Sequence, residues 1–159
     1  MRLGLICVGR LKAGPERELY ARYATRIAAM RNLGFAGLDL QEIDESKARG
    51  PAERMAQEGS ALVAALPAGT GLVVFDERGR AASSADFARL LEGERDRGVK
   101  ALLFAIGGAE GLAPMVRERA QAAFSFGAMT LPHQLVRILA AEQIYRAMTI
   151  ISGHPYHRG

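Results

Sequence analysis

The sequence predicts an α/β protein in which a parallel β-sheet is covered by helices on both faces. Short apolar segments alternate along the chain with amphipathic helical segments, the order typical of parallel sheets. The apolar segments are also hydrophobic at successive positions, as expected for strands buried on both faces. We expect a single domain over residues 1–159, with its ligand site at the carboxyl ends of the strands.

The first half of the chain predicts two strands and two helices. Residues 1–8 are apolar and indicate a buried, central strand. Pro15 begins a helix with acidic residues in its first turn and an apolar stripe. Residues 38–43 alternate between apolar and polar, which indicates a half-exposed strand near an edge of the sheet. Pro51 begins a second helix, which we expect to end near residue 66.

The second half repeats this pattern. Residues 72–75 predict a short parallel strand that opens into a polar loop, and Ser83 or Ser84 is placed to cap a helix over 85–97. Residues 101–106 form the clearest strand of the chain. The remaining elements follow from the same signals: a short helix from Pro114 to about residue 122, a strand over 124–129, a long helix over 135–151 and a tail over 153–159.

The composition is that of a globular protein with a basic surface. Hydrophobic residues make up 49% of the chain and charged residues 24%, and the net charge is +4 with a pI near 9.6. Such a balance argues against a disordered chain, and no apolar stretch is long enough to span a membrane. Cys7 is the only cysteine, which excludes a disulfide framework and favours the cytoplasm. Basic proteins often bind a polyanion such as RNA, although many bind none.

Two loops follow predicted strands and have ligand-binding character. Gly107, Gly108 and Gly111 follow the strand 101–106, where glycine lets the backbone approach a ligand. They match neither a P-loop nor the G-x-G-x-x-G pattern, so a simple tight turn is the alternative. The loop 126–132 leaves the next strand, and together with Phe75 the two loops could surround a flat heterocycle.

The three histidines offer RNA-binding rather than metal-binding chemistry. His154 and His157 have a spacing that could suit a metal, but no cysteine or carboxylate stands beside them, so we expect no metal site. The tail over 154–158 combines an aromatic ring, a cation and imidazoles, which suit base stacking and phosphate binding. A frayed, merely polar chain end is the alternative.

Four segments together resemble the RlmH family of SPOUT methyltransferases. They are Ile106-Gly107-Gly108-Ala109-Glu110-Gly111-Leu112, Met129-Thr130-Leu131-Pro132-His133-Gln134-Leu135-Val136-Arg137, Glu142-Gln143-Ile144-Tyr145-Arg146-Ala147 and His154-Pro155-Tyr156-His157-Arg158. Val8-Gly9-Arg10-Leu11-Lys12 and Glu58-Gly59 resemble the family as well, so the similarity runs essentially from end to end.

The resemblance implies a SPOUT-type fold with a deep trefoil knot, a homodimer, and S-adenosyl-L-methionine as methyl donor. It implies methylation of N3 of pseudouridine 1915 in 23S ribosomal RNA, acting on the ribosome. By matching positions, the resemblance places the cofactor against Phe75, Gly107, Gly108, Phe126, Gly127, Ala128, Met129, Thr130 and Leu131.

For methyl transfer, the protein mainly has to align the acceptor nitrogen with the methyl group and to assist loss of the N3 proton. His133, Arg146 and His157 are the candidates for base or anion stabiliser, and the choice among them stays open. Tyr156, placed at the reacting centre with them, is expected to hold the nucleotide together with Arg158, in a site shared between two subunits.

Arg137 and His154 are further candidates for contact with RNA. The long last helix, with its apolar stripe, is the expected dimer contact.

Three alternatives keep part of this interpretation. The chain could bind ribosomes without methylating, or it could be a SPOUT enzyme for transfer RNA or another ribosomal RNA site. A metal hydrolase built on the histidines is the third, which survival of activity under chelation would exclude.

Overall fold

The structure is a computed structural model and describes residues 1–158. Five strands form one sheet: β1 (Arg2–Val8), β2 (Ala36–Ile43), β3 (Gly71–Ala81), β4 (Ala101–Ile106) and β5 (Ala122–Ser125). Their order across the sheet is β2-β1-β4-β3-β5, and every neighbouring pair is parallel. The predicted parallel sheet is therefore confirmed, with the first strand inside it and the second at an edge.

Four α-helices connect the strands and a fifth follows the last strand: α1 (Pro15–Ala29), α2 (Pro51–Ala64), α3 (Ser84–Asp96), α4 (Pro114–Arg119) and α5 (His133–Ile151), with a 3₁₀ turn at Arg31–Leu33. Proline begins α1, α2 and α4, where its missing N–H costs no hydrogen bond. Ser83 caps α3 in a capping box with Asp86, which decides between the two serines considered. None of the described helices is long and apolar enough to cross a membrane.

The helices cover both faces of the sheet because strand side chains point alternately to either side. In β1, Leu3, Leu5 and Cys7 belong to a core packed against α1, α3 and α5. Ile6 and Val8 of the same strand face a second, smaller core under α2 and α4. Continuous apolar strands are thus explained by burial on both sides, as the sequence indicated.

Three predicted boundaries near the carboxyl edge were wrong. β3 continues to Ala81 instead of ending at Phe75, because its second half pairs with β5 after a register shift. β5 ends at Ser125 rather than at residue 129, since Gly127 turns the chain with a φ of 125°. α4 ends at Arg119 because Ala120 has extended backbone angles.

The long last helix is confirmed, and it begins two residues earlier than expected, at His133. Gly159, the last residue of the predicted tail and domain, lies outside the described residues. The trefoil knot implied by the resemblance stays a prediction.

Candidate functional site

A cavity of about 460 Å³ opens at the carboxyl ends of β3, β4 and β5. Parallel strands end at one edge of a sheet, so the loops that follow them meet there. The cavity is lined by residues 75–78 of β3, by the glycine loop (residues 107–112) and by the second loop (residues 125–131) except Ala128. Pro114 and Arg117 of α4, His133 and Val136 of α5 and Met55 of α2 also line it.

An aromatic wall forms one side of the cavity. The rings of Phe75 and Phe126 stack with centroids 4.7 Å apart and an interplanar angle of 14°. Phe75 is also held from behind by Phe87 and Phe104, whose centroids lie 5.9 Å and 6.0 Å away. A wall of this kind offers a rigid apolar surface to a planar heterocycle.

The glycine loop folds back on itself. A Cβ at Gly107 would lie 2.5 Å from the carbonyl group of Gly111, so any side chain there would force the loop apart. Gly108 and Gly111 form an isolated antiparallel bridge, which fixes the loop. Gly107 and Gly108 nevertheless face the cavity. The loop is therefore a tight turn, as one of the two alternatives from the sequence had it, and it also lines the cavity.

Eight of the nine residues expected to contact a cofactor line this cavity. They are Phe75, Gly107, Gly108, Phe126, Gly127, Met129, Thr130 and Leu131. Ala128 is exposed and is not part of the cavity wall. Met129 is the most exposed large apolar side chain described, at 85%, so the second loop presents apolar surface to solvent.

Charged residues also line the cavity, and the sequence interpretation missed them. Asp76 and Arg78 lie in the part of β3 that was expected to be a loop, and Arg117 lies in α4. Glu110 of the glycine loop pairs with Arg54 of α2. The polar run after Phe75 was a signal for the first two, whereas no sequence pattern pointed to Arg117.

A second cluster joins the tail to the end of α5. Arg146 donates through Nη2 and Nε to Oε1 of Glu142, at 2.6 Å and 3.0 Å. The Tyr156 hydroxyl donates to the same oxygen at 3.1 Å, and the Arg146 guanidinium lies 4.9 Å from the centroid of the Tyr156 ring. Nδ1 of His157 is 3.4 Å from Nη1 of Arg146, which makes Nδ1 the acceptor, because arginine can only donate. The tail is therefore attached to α5.

The environment of this tail cluster reinforces the usual charge states of Tyr156 and Arg146. Burial, with hydrogen bonds to Tyr23 and Glu142, raises the pKa of Tyr156 above its usual value, so the phenol stays neutral at physiological pH. The hydrogen bond to Glu142 raises the pKa of Arg146, which stays cationic. The cluster thus offers a fixed cation and a neutral phenol.

The cavity and the tail cluster lie at opposite ends of α5. His133 begins the helix and lines the cavity, whereas Arg146 lies 13 positions further along it. At 1.5 Å per residue this separation is about 20 Å. Of the four residues expected at the reacting centre, the structure therefore brings together Arg146, Tyr156 and His157, and it places His133 apart from them.

Arg137 does not offer its side chain to RNA in this structure, contrary to expectation. Its guanidinium is fully buried, pairs with Glu42 at 3.1 Å and donates to the carbonyls of Val8 and Gly9. Burial among these partners gives it a structural role. His154 and Arg158, the other two RNA-binding candidates, are exposed.

Within residues 1–158, no group of three or more histidine, cysteine or acidic side chains is arranged to hold a metal ion.

Comparison with known proteins places the chain among methyltransferases. A family model described as "Predicted SPOUT methyltransferase" matches residues 1–157. Similar proteins named "Ribosomal RNA large subunit methyltransferase H" include those of Xanthobacter autotrophicus, 58% identical, and Methylocella silvestris, 57% identical. Each match spans 159 residues and covers 99% of both chains.

A solved structure supports the fold alone. The probable methyltransferase from Bordetella pertussis Tohama I is similar with a TM-score of 0.53 and 15% identity, over 92% of this chain and 95% of that one.

Proposed function

Because the chain belongs to the SPOUT methyltransferases, and among them to the ribosomal RNA large subunit methyltransferase H (RlmH) family, we propose that it methylates N3 of pseudouridine 1915 in 23S ribosomal RNA on the ribosome. It is an S-adenosyl-L-methionine-dependent ribosomal RNA methyltransferase. The observation that carries the proposal is 58% identity over essentially the whole chain to a protein of that name.

The cavity fits S-adenosyl-L-methionine in size and chemistry. Its volume of about 460 Å³ is in the range of pockets that bind molecules of this size. Phe75 and Phe126 offer an apolar surface for the adenine, and Gly107 and Gly108 line the same cavity without side chains. When bound, the cofactor supplies a methyl group already activated by its sulfonium centre, so the protein needs no nucleophile of its own.

The tail cluster has the chemistry to receive the target nucleotide. Loss of the N3 proton leaves an anion on the imide, and the fixed Arg146 cation is suited to stabilise it. The Tyr156 ring offers a stacking surface, and its neutral phenol does not act as the base. Arg158 is exposed and suited to a phosphate. His133 or His157 takes the proton, and His157 can do so only by giving up the contact between its Nδ1 and Arg146.

A two-fold pairing of α5 helices would bring the two halves of the site together. Leu135 and Leu139 are 43% and 37% exposed, and they share one face of α5 with Glu142 and Arg146. An antiparallel pair centred on Leu139, midway between His133 and Arg146, would set the Arg146 end of one helix beside the His133 end of the other. We propose that the protein is a homodimer with sites shared between subunits.

Co-expression of two inactive variants tests the shared site. Thr130→Arg places a large cation in the cavity without disturbing the core, since Thr130 is exposed, and Tyr156→Ala removes the stacking ring. In a mixed dimer, one site would combine the intact cavity of one subunit with the intact tail of the other. Random pairing should restore about a quarter of wild-type activity. No recovery in a mixture shown to contain mixed dimers would contradict the shared site.

The dimer contact is tested separately by Leu139→Arg, which should give a monomer in sedimentation and abolish methylation. Leu19→Arg, at a partly buried position on α1, is the control. If the Leu139→Arg protein stays dimeric, this face of α5 is not the dimer contact.

The reaction is tested with labelled S-adenosyl-L-methionine and ribosomes that lack the methyl group. We expect label in N3-methylpseudouridine of the large-subunit RNA. Label in a different nucleoside or in transfer RNA would show that the enzyme methylates another RNA site. Binding of cofactor and ribosomes without transfer of label would favour a non-catalytic module.

A further inference from the structure

Arg117 is a cation in the cavity wall with two unused donor groups. Its Nη1 donates to the Leu112 carbonyl at 2.6 Å and to Oδ2 of Asp76 at 3.3 Å. Its Nε and Nη2 donate to no other residue among those described. The side chain is 26% exposed, so these free donors can reach a ligand in the cavity.

The two bonds of Nη1 hold the guanidinium in place. Leu112 ends the glycine loop, and Asp76 lies on β3, so Arg117 connects two walls of the cavity. The Asp76 side chain is only 5% exposed, and its other oxygen accepts the backbone N–H of Arg78 at 2.9 Å. Because its position is already set by these contacts, Arg117 loses little side-chain freedom when it binds a further group.

The other cations near the cavity are less suited to bind a ligand. Arg54 is paired with Glu110, and the Arg78 side chain is exposed and makes no ion pair among residues 1–158. None of the nine residues assigned to the cofactor carries a charged side chain. An anionic part of a ligand would therefore find its partner at Arg117.

We propose that Arg117 binds the α-carboxylate of S-adenosyl-L-methionine, the end of the cofactor away from the adenine. A planar guanidinium with two adjacent free N–H groups matches a carboxylate with two parallel hydrogen bonds. Asp76 is a positioning residue that orients Arg117 from behind. This inference rests on the methyltransferase function and assigns the part of the cofactor that the aromatic wall and the glycine loop leave without a partner.

Two ligands that differ in the amino-acid end separate this role from a structural one. S-adenosylhomocysteine carries the carboxylate, and 5′-methylthioadenosine lacks it. In calorimetric titrations Arg117→Met should lower the affinity of the protein for S-adenosylhomocysteine at least about tenfold, as expected when a charge-assisted hydrogen bond is lost. The affinity for 5′-methylthioadenosine should change by less than about twofold, because that ligand has no carboxylate to contact Arg117.

Three further variants make the result specific. Arg117→Lys keeps the charge but not the two parallel donors, and it should lose less affinity than Arg117→Met. Arg119→Met, at an exposed position on the same helix, is the control and should leave both affinities within about twofold. Arg78→Met tests the competing cation of the cavity wall, and it should weaken the binding of S-adenosylhomocysteine less than Arg117→Met does.

Two outcomes would overturn the assignment. An equal loss for both ligands would mean that Arg117 only organises the glycine loop. If Arg78→Met and not Arg117→Met selectively lowers the affinity for S-adenosylhomocysteine, Arg78 binds the carboxylate. Failure of the wild-type protein to bind S-adenosylhomocysteine would instead contradict the methyltransferase function itself, which keeps the two tests distinct.

Discussion

Replacing Arg137 with methionine should destabilise the protein more than any change to a surface charge. The Arg137 guanidinium is fully buried and joins α5 to the carboxyl ends of the first two strands. Nη1 pairs with Glu42 at 3.1 Å, and Nη2 donates to the carbonyls of Val8 and Gly9 at 2.6 Å and 2.9 Å. Methionine matches arginine only along the stem as far as Nε and has no donor, so all three acceptors lose this partner.

The expected loss is about 3 to 5 kcal/mol in the free energy of unfolding, the usual result of removing one member of a buried ion pair. Most of it should come from the two buried carbonyls, each costing about 1–3 kcal/mol when left unpaired. Glu42 contributes less because its side chain is 25% exposed and it still accepts the Leu11 N–H at 2.6 Å.

Urea denaturation at a fixed protein concentration measures this loss, since dimerisation would make the stability depend on concentration. Arg10→Met is the matched control. Arg10 pairs with Asp44 at 3.0 Å, but the two side chains are 71% and 78% exposed, so its loss should stay below about 1 kcal/mol. An Arg137→Met protein within about 1 kcal/mol of wild type would refute the reasoning.

Three further predictions follow from local structure. Burial raises the pKa of Cys7 from 9.0 to about 12, so the native thiol should react slowly with thiol reagents. The unfolded chain ionises first, so the free energy of unfolding should fall between about pH 9 and 12, and Cys7→Ala should flatten this slope. Ser83→Ala should lower the free energy of unfolding, measured by heat or urea, by about 1 kcal/mol because the α3 capping box is lost. Ser60→Ala, the control, should lower it less. Gly107→Ala should abolish cofactor binding in calorimetry, since its Cβ would meet the Gly111 backbone at 2.5 Å; unchanged affinity would contradict this account of the loop.

The sheet and the cofactor loops were predictable because they depend on local patterns. Strands buried on both faces must be apolar at every position, and residues 101–106 show this directly. Glycines that follow such a strand mark a loop at the carboxyl edge. The sequence therefore located most of the cavity wall, including Gly107 and Phe75.

Longer-range pairing was not predictable. β3 continues past Phe75 because β5, almost 50 residues later in the chain, shifts register and pairs with Arg80 and Ala81. Arg117 drew no attention in the sequence because an arginine in a short helix has no distinguishing pattern, and its two partners come from β3 and from the glycine loop.

The fold class, the family and the loops that form the cavity can be read from the sequence, because periodicity and local motifs are properties of neighbouring residues. Tertiary structure alone decided that Arg137 is buried with Glu42 rather than available to RNA, and that Arg146 and Tyr156 cluster about 20 Å along α5 from the cavity. Burial and distance depend on which elements pack together, and a charged side chain looks the same in a sequence whether it faces solvent or a partner in the core.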